Sequence, residues 1–154
     1  MITCLVNEED RKYLDYSPLR PDYLDWEDLK YKPNFAIKTY KDSVYRGQLV
    51  ESKRHGKGVI TYKSTRVYEG EWADDKRDGL GYEKFATGNT YDGEYLCGKV
   101  HGQGKYTWTN GDVYDGEWTM GNKHGYGMWQ GVNSDSYIGQ WRNNKPYGFG
   151  KHIW

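Results

Sequence analysis

Tyr45, Tyr68, Tyr91, Tyr114 and Tyr137 stand 23 residues apart, and Gly47, Gly70, Gly93, Gly116 and Gly139 each follow two places later. A period kept through five units without an insertion makes the chain a tandem array, so its chemistry must be read per unit. Four residues after each tyrosine comes Leu49, Trp72, Tyr95, Trp118 or Trp141, and further along come the pairs Gly56/Gly58, Gly79/Gly81, Gly102/Gly104, Gly125/Gly127 and Gly148/Gly150. Aliphatic residues are scarce while 7 Trp and 16 Tyr are present, so a conventional two-layer core is not expected. Rings that each bury on the order of 150–250 Å2 could instead stack from unit to unit across one sheet.

Within a unit, Tyr68, Gly70 and Trp72 alternate with Glu69 and Glu71, the period of a strand with one aromatic and one solvated face. A polar stretch such as Ala73 to Asp78 follows, and a second strand is expected from the Gly-x-Gly pair onward, making each unit a β-hairpin. The missing glycine side chains leave slots in which Tyr and Trp rings lie against backbone. Short turns such as Thr109-Asn110-Gly111-Asp112 join successive hairpins. Counting backwards, Phe35, Ile37 and Thr39 fall in the register of a second strand. The expected fold is all-β: an elongated, twisted, single-sheet antiparallel solenoid of about five hairpin repeats (45–67, 68–90, 91–113, 114–136, 137–154) plus a half-repeat at 34–44, with about eleven strands.

Every one of the 20 glycines lies at or after Gly47, which sets the first part of the chain apart. Residues 1–33 read as an extension whose stretch Pro21 to Leu29, with acids in its first turns, predicts a short helix near 21–30. That helix would cap the first strand or clip into a partner. Net charge is zero, so nothing demands nucleic acid. Cys4 and Cys97 have no spacing that implies a bridge, and no leader-like or membrane-spanning stretch occurs; the expectation is a cytoplasmic chain in a reducing compartment.

The unit Tyr-x-Gly-Glu-Trp, a polar spacer ending in His, Gly-x-Gly, two aromatic-leaning positions and a Gly-rich turn resembles the MORN (membrane occupation and recognition nexus) repeat. Residues 91–113 carry the pattern with His101, Gly102, Gly104, Tyr106, Trp108 and Gly111 in place. Departures fall at Leu49, Asp78, Glu83, Gly131 and Tyr147. The resemblance implies a scaffold or targeting module, as in axonemal and other cytoskeletal assemblies or at membrane junctions.

Catalysis finds no support in the residues. His55, His101 and His124 share one position, but repeats two strands apart are separated by about 9.6 Å, too far for a shared ion held at ~2.0–2.1 Å from each nitrogen. Their expected role is packing or hydrogen bonding beside the Gly-x-Gly turn. The Gly-x-Gly pairs have Thr61, Lys84, Thr107, Gln130 and Ile153 where a dinucleotide fingerprint needs glycine. Asp74 to Gly79 imitates the start of a calcium loop but has Phe85 at the required Glu. Glu71, Glu94 and Glu117 form a ladder expected to face solvent. No enzyme, cofactor or metal is expected.

Three surfaces are candidates for binding. An aromatic groove of Tyr68, Trp72, Tyr91, Tyr95, Trp108, Tyr114, Trp118, Trp129, Tyr137 and Trp141 would suit a helix or peptide. On the opposite face, Tyr126, Met128, Ile138, Phe149 and Ile153 turn apolar together and call for coverage by a partner, a second copy or the N-terminal segment. Lys53, Arg54, Lys76, Arg77, Lys99, Lys123 and Lys145 recur at the hairpin tips as contacts for an anionic surface. The last strand, near Trp154, offers edge-to-edge pairing. The expected role is a non-enzymatic scaffold subunit binding other proteins of a cytoskeletal assembly, ciliary or axonemal, with a phosphoinositide-binding membrane adaptor as the alternative.

Overall fold

The computed structural model describes residues 24–154. One short helix, α1 (Trp26–Leu29), precedes eleven strands: β1 (Phe35–Thr39), β2 (Ser43–Val50), β3 (Lys53–Tyr62), β4 (Val67–Ala73), β5 (Lys76–Lys84), β6 (Thr90–Leu96), β7 (Lys99–Thr107), β8 (Val113–Thr119), β9 (Asn122–Gln130), β10 (Ser136–Arg142) and β11 (Lys145–Ile153). They form one open antiparallel sheet in strict sequence order, as the hairpin periodicity predicts. Helix α1 is only one turn. Its Asp25 cap accepts N–H groups from Glu27 at 2.9 Å and Asp28 at 3.3 Å, and the proline expected at its start lies outside the described residues.

Two features differ from the sequence reading. The second strands begin at Lys53, Lys76, Lys99, Asn122 and Lys145, ahead of the Gly-x-Gly pairs, because the hairpins close through two-residue turns rather than six-residue spacers. Glu51/Ser52, Asp74/Asp75, Cys97/Gly98, Met120/Gly121 and Asn143/Asn144 all take positive φ, the geometry whose twist matches that of the strands it joins. The extra residues that this early start brings in are absorbed by a bulge in each hairpin, for example between Gly70 and Trp72.

The half-repeat is also out of step by one residue. Ala36 pairs with Gly47 and Lys38 with Tyr45, so Phe35, Ile37 and Thr39 point to the face opposite the tyrosines, not to the tyrosine face. A one-residue slip in a strand reverses every side chain. Here it delivers Phe35 to a small cluster on that opposite face, where Leu24 and Leu29 pack over Val59 with Val67 alongside.

The main core is a single line of rings on the tyrosine face. Tyr45, Tyr68, Tyr91 and Tyr114 are fully buried, and Trp72, Tyr95, Trp118 and Trp141 are buried between them. Tyr68, Tyr91 and Tyr114 each meet the aromatic residue of their own repeat and that of the next edge to face, and Tyr45, whose own repeat has Leu49 at that place, meets Trp72 of the next, with centroids 5.1–5.7 Å apart and planes 84–87° to one another. This is the arrangement that ring quadrupoles favour. It places the core between repeats, so each unit is held chiefly by its neighbours.

Candidate functional site: the two faces and the hairpin tips

The ring ladder needs glycine beneath it. Glycines pair across the sheet without a break, from Gly47 opposite Gly58 and Gly58 opposite Gly70 to Gly139 opposite Gly150. A Cβ on Gly58 would lie 2.3–2.5 Å from three atoms of Tyr45, and one on Gly104 would lie 2.1 Å from the Tyr91 hydroxyl. The slots inferred from the sequence are therefore filled by the tyrosine rings.

Polar groups lock the same line. Each tyrosine hydroxyl donates to the carbonyl three residues on, from Tyr45 to Gln48 at 2.7 Å through Tyr137 to Gln140 at 3.1 Å. Trp72, Trp118 and Trp141 donate their indole N–H to the carbonyls of Gly58, Gly104 and Gly127 at 3.0–3.1 Å. Burial lifts the hydroxyls of Tyr45 and Tyr114 above the ordinary tyrosine value. Burial, reinforced by Glu83, also lifts that of Tyr95 well above it.

The expected solvated ladder of acids is instead structural. Glu71 and Glu94 accept the backbone N–H of Leu80 and Gln103, Glu117 does the same for Tyr126, and Gln48 and Gln140 take the equivalent bonds from Lys57 and Phe149. These side chains satisfy amides that the bulge displaces from the ladder, and glutamine serves as well because only an acceptor is required.

The histidine position has a similar explanation. Nδ1 of His55 accepts the N–H of Asp74 at 3.3 Å, and Nδ1 of His101 accepts that of Met120 at 3.2 Å, so each clips the next hairpin turn. At the departure Asp78, the carboxylate accepts the N–H of Cys97 at 3.1 Å, which preserves the clip with a different acceptor. Among the described residues, no group of three or more His, Cys, Asp or Glu is arranged to hold a metal ion.

Glu83, which stands where other repeats carry Ile60, Tyr106 or Trp129, is completely buried. It is held by Arg66 at 2.9 Å and by the guanidinium of Arg77, which also spans the rings of Tyr68 and Tyr95. A carboxylate survives inside the ring line only because two guanidiniums neutralise it.

Cys97 is disulfide-bonded, against the expectation of no bridge; the other cysteine of the chain, Cys4, lies outside the described residues.

The three candidate surfaces fare differently. Tyr68, Trp72, Tyr91, Tyr95, Tyr114, Trp118 and Trp141 are core and have no face to offer a partner. Their proposed assignment to a binding groove is corrected by the contacts between successive repeats, which use both sides of each ring. Trp108, Trp129 and Tyr137 remain half-buried along its margin.

At the tips, alternate cations turn inward. Arg54 pairs with Asp75 at 2.6 Å and lies 4.5 Å from the Trp72 ring centroid, Arg77 is engaged as above, and Lys123 lies 4.9–5.4 Å from the rings of Trp108, Tyr114 and Trp141. Burial would raise Asp75, but its bonds with Arg54 outweigh that and hold it below its ordinary value; burial lowers Lys123. Only Lys53, Lys76, Lys99 and Lys145 stay exposed, one at the start of each of four second strands.

On the opposite face, Tyr126, Met128, Ile138, Phe149 and Ile153 are 36–86% exposed. Met128 and Ile138 are direct cross-strand partners, and Val59 occupies the place of Met128 three repeats earlier, where it is 1% exposed beneath Leu24 and Leu29. The sequence thus singled out an apolar strip that is bare, and missed that the first repeats carry a covered counterpart.

A sequence model of one family, the MORN repeat, matches residues 45–64, 68–90, 91–113, 114–136 and 137–154. No curated protein matches the chain.

Proposed function

The chain belongs to the MORN repeat family, and from that premise we propose that it is a non-enzymatic scaffold subunit of a cytoskeletal assembly, with the ciliary axoneme as its place. MORN repeats as a family are non-enzymatic and mediate protein–protein or membrane interactions. The observation that carries the protein-binding reading is the bare strip Tyr126, Met128, Ile138, Phe149 and Ile153, on a face whose equivalent in the first repeats is covered by leucines. Apolar side chains grouped on one face favour a partner that removes them from water. The ciliary placement rests on the family's usual settings alone.

A chain with Met128→Lys and Ile138→Lys, expressed with a tag beside the unchanged protein, tests both parts. The unchanged chain is expected in the axonemal fraction, bound to partners that the double variant loses while keeping its fold by circular dichroism. Equal recovery of partners by the two would reject the strip, and an unchanged chain absent from cilia would reject the location.

A membrane reading is favoured by the four exposed lysines at the tips. Each is worth about 1 kcal/mol near an anionic lipid surface, and the inward turn of Arg54, Arg77 and Lys123 reduces the sum below what the sequence promised. Salt-sensitive binding to vesicles containing phosphoinositide, abolished by Lys53→Ala with Lys76→Ala, would reverse this order.

A further inference from the structure

On the face opposite the tyrosines, side chains line up in rows that cross the sheet from strand to strand. The row through the bare strip runs Asp115 on β8, Met128 on β9, Ile138 on β10 and Lys151 on β11, each the cross-strand partner of the next. Met128 and Ile138 stand on strands paired on both sides, so a strand added to the sheet would extend it sideways and leave this face as it is. Asp115 and Lys151 are exposed, and among the described residues neither forms an ion pair. This row is complementary to its own reverse. A two-fold axis running along the strands between β9 and β10 sets Met128 over Ile138 of a second copy and Asp115 over that copy's Lys151. In the next row, Val113, Gln130, Ser136 and Ile153, the same axis sets valine over isoleucine and glutamine over serine. Three repeats earlier the corresponding row is Arg46, Val59, Glu69 and Tyr82, where reversal would press Val59 onto a carboxylate; there the chain covers itself with Leu24 and Leu29.

We propose that the strip is the interface of a homodimer in which two copies pack face to face about that axis, with Met128 and Ile138 interleaved at the centre and Asp115 paired with Lys151 on both flanks. The proposal rests on the reading of the strip as a protein-binding face and names its occupant. A two-fold interface uses one patch twice, so each residue must suit the residue that the axis carries onto it. An unrelated helix or peptide needs no such match, and opposite charges at the flanks with like polarity between them single out a second copy. Twisted sheets pack face to face about 10 Å apart with strands aligned within about 30°, which methionine and isoleucine side chains from both faces can fill. The flanking charges also fix the register. An axis moved onto β10 would set Lys151 over Met128, and one moved onto β9 would set Asp115 over Ile138, so either slip buries a charge against an apolar side chain.

Sedimentation of the full chain over a range of concentrations, with circular dichroism as the check on fold, tests the proposal. The unaltered chain is expected to associate reversibly into a dimer. Asp115→Lys alone, or Lys151→Asp alone, brings like charges together at both flanks and should weaken the dimer roughly tenfold or more. Both changes in one chain restore opposite charges and should restore the dimer, and a mixture of the two single variants should form the heterodimer in preference to either homodimer. Because damage to the fold cannot produce restoration, this comparison decides even if one single variant is unstable. A monomer at every concentration, a dimer indifferent to the single variants, or a double variant as weak as the singles would each overturn the proposal. A monomer that still captures other proteins through Met128 and Ile138 would reject the second copy alone and leave the strip as a docking face. A charge-sensitive dimer that captures no other protein would uphold the interface and reject the scaffold reading.

Discussion

The first two repeats and the last two are built on the same register, yet their non-core faces have opposite fates. In the first, Val59 disappears beneath Leu24 and Leu29, and a neighbouring acid, Glu69, is itself only 4% exposed. In the last, Met128 and Ile138 take the places of Val59 and Glu69 and remain open, while β11 carries no buried residue. The difference shows that this repeat assigns stability and recognition to separate faces. The tyrosine face is constrained at every unit by ring against glycine. The other face tolerates valine under a helix at one end and bare methionine at the other, because neither takes part in the ladder that holds the repeats together.

The sharpest test of that comparison is a single methyl group placed beneath the ring line at each end. Gly58→Ala sets a Cβ 2.3–2.5 Å from Tyr45, a ring with no exposed surface and nowhere to move. Overpacking of this kind costs about 1–3 kcal/mol, and the absence of any relaxation path puts this variant at about 3 kcal/mol. Gly150→Ala makes an equally short approach to Tyr137, 2.2 Å. Tyr137, however, is half-exposed at the sheet's end and can swing outward, so the expected loss is under about 1 kcal/mol. Urea unfolding of both variants checks the pair, and equal losses would show that the two ends are equally rigid.

Next in size is Arg77→Ala. It leaves Glu83 buried with Arg66 as its remaining partner and uncovers the rings of Tyr68 and Tyr95. Removing one member of a buried ion pair costs about 3–5 kcal/mol, which the surviving guanidinium reduces to about 2–3 kcal/mol. Lys145→Ala, at an exposed tip, should stay within ~0.5 kcal/mol. Thermal melts of the two would tell inward cations from outward ones directly.

Leu29→Ala and Met128→Ser then compare covered with bare positions on the same face. The first removes the leucine that lies over Val59 and should cost about 2 kcal/mol, the low end for a buried leucine because α1 is short and can settle. The second removes an exposed side chain and should cost less than ~0.5 kcal/mol while weakening partner binding. A Met128→Ser variant as unstable as Leu29→Ala would mean that the strip is part of the fold rather than a docking surface.

How far these distinctions could be read from the sequence follows from which interactions are local. Tyrosine and the glycines opposite it recur in phase, so the slot, the sheet order and the strand count were legible from spacing. The two-residue turns were not, since Asp74-Asp75 and Asn143-Asn144 adopt positive φ without the glycine that usually announces it. The slip at Phe35 was hidden because both registers place an apolar residue somewhere useful. Only the leucines of α1, brought over from outside the array, decide between them. Whether a ring or a cation is core or surface depends on the neighbouring repeat: the alternation that marks Trp72 as inward is silent on the fact that Tyr45 and Tyr68 close over both its sides. The glutamates and Asp78 look solvated because what they serve is backbone, which a sequence pattern does not display.

The smallest effect expected concerns Lys123, the one inward cation of the later repeats, which lies over three rings without a carboxylate of the kind that Arg54 and Arg77 have. Burial lowers its pKa below 10.5, so the folded state holds this proton less tightly than the unfolded chain does. By linkage, its unfavourable contribution is present at neutral pH and fades as pH rises through the folded pKa toward the unfolded one. Lys123→Met, which keeps the packed stem and removes the charge, should therefore raise stability at pH 7 by no more than ~0.5 kcal/mol, and the gain should shrink as pH approaches 10. The raised tyrosines act in the other direction: their stabilisation is complete below the ordinary tyrosine value of 10.0 and is lost above it, so both proteins should lose stability together beyond that pH. Paired denaturant titrations from pH 7 to 11 separate the two. A difference between variant and unchanged protein that stayed constant across the range would mean that the ammonium is satisfied by the rings. In that case the later repeats balance an inward charge as fully as the earlier ones do with Asp75 and Glu83.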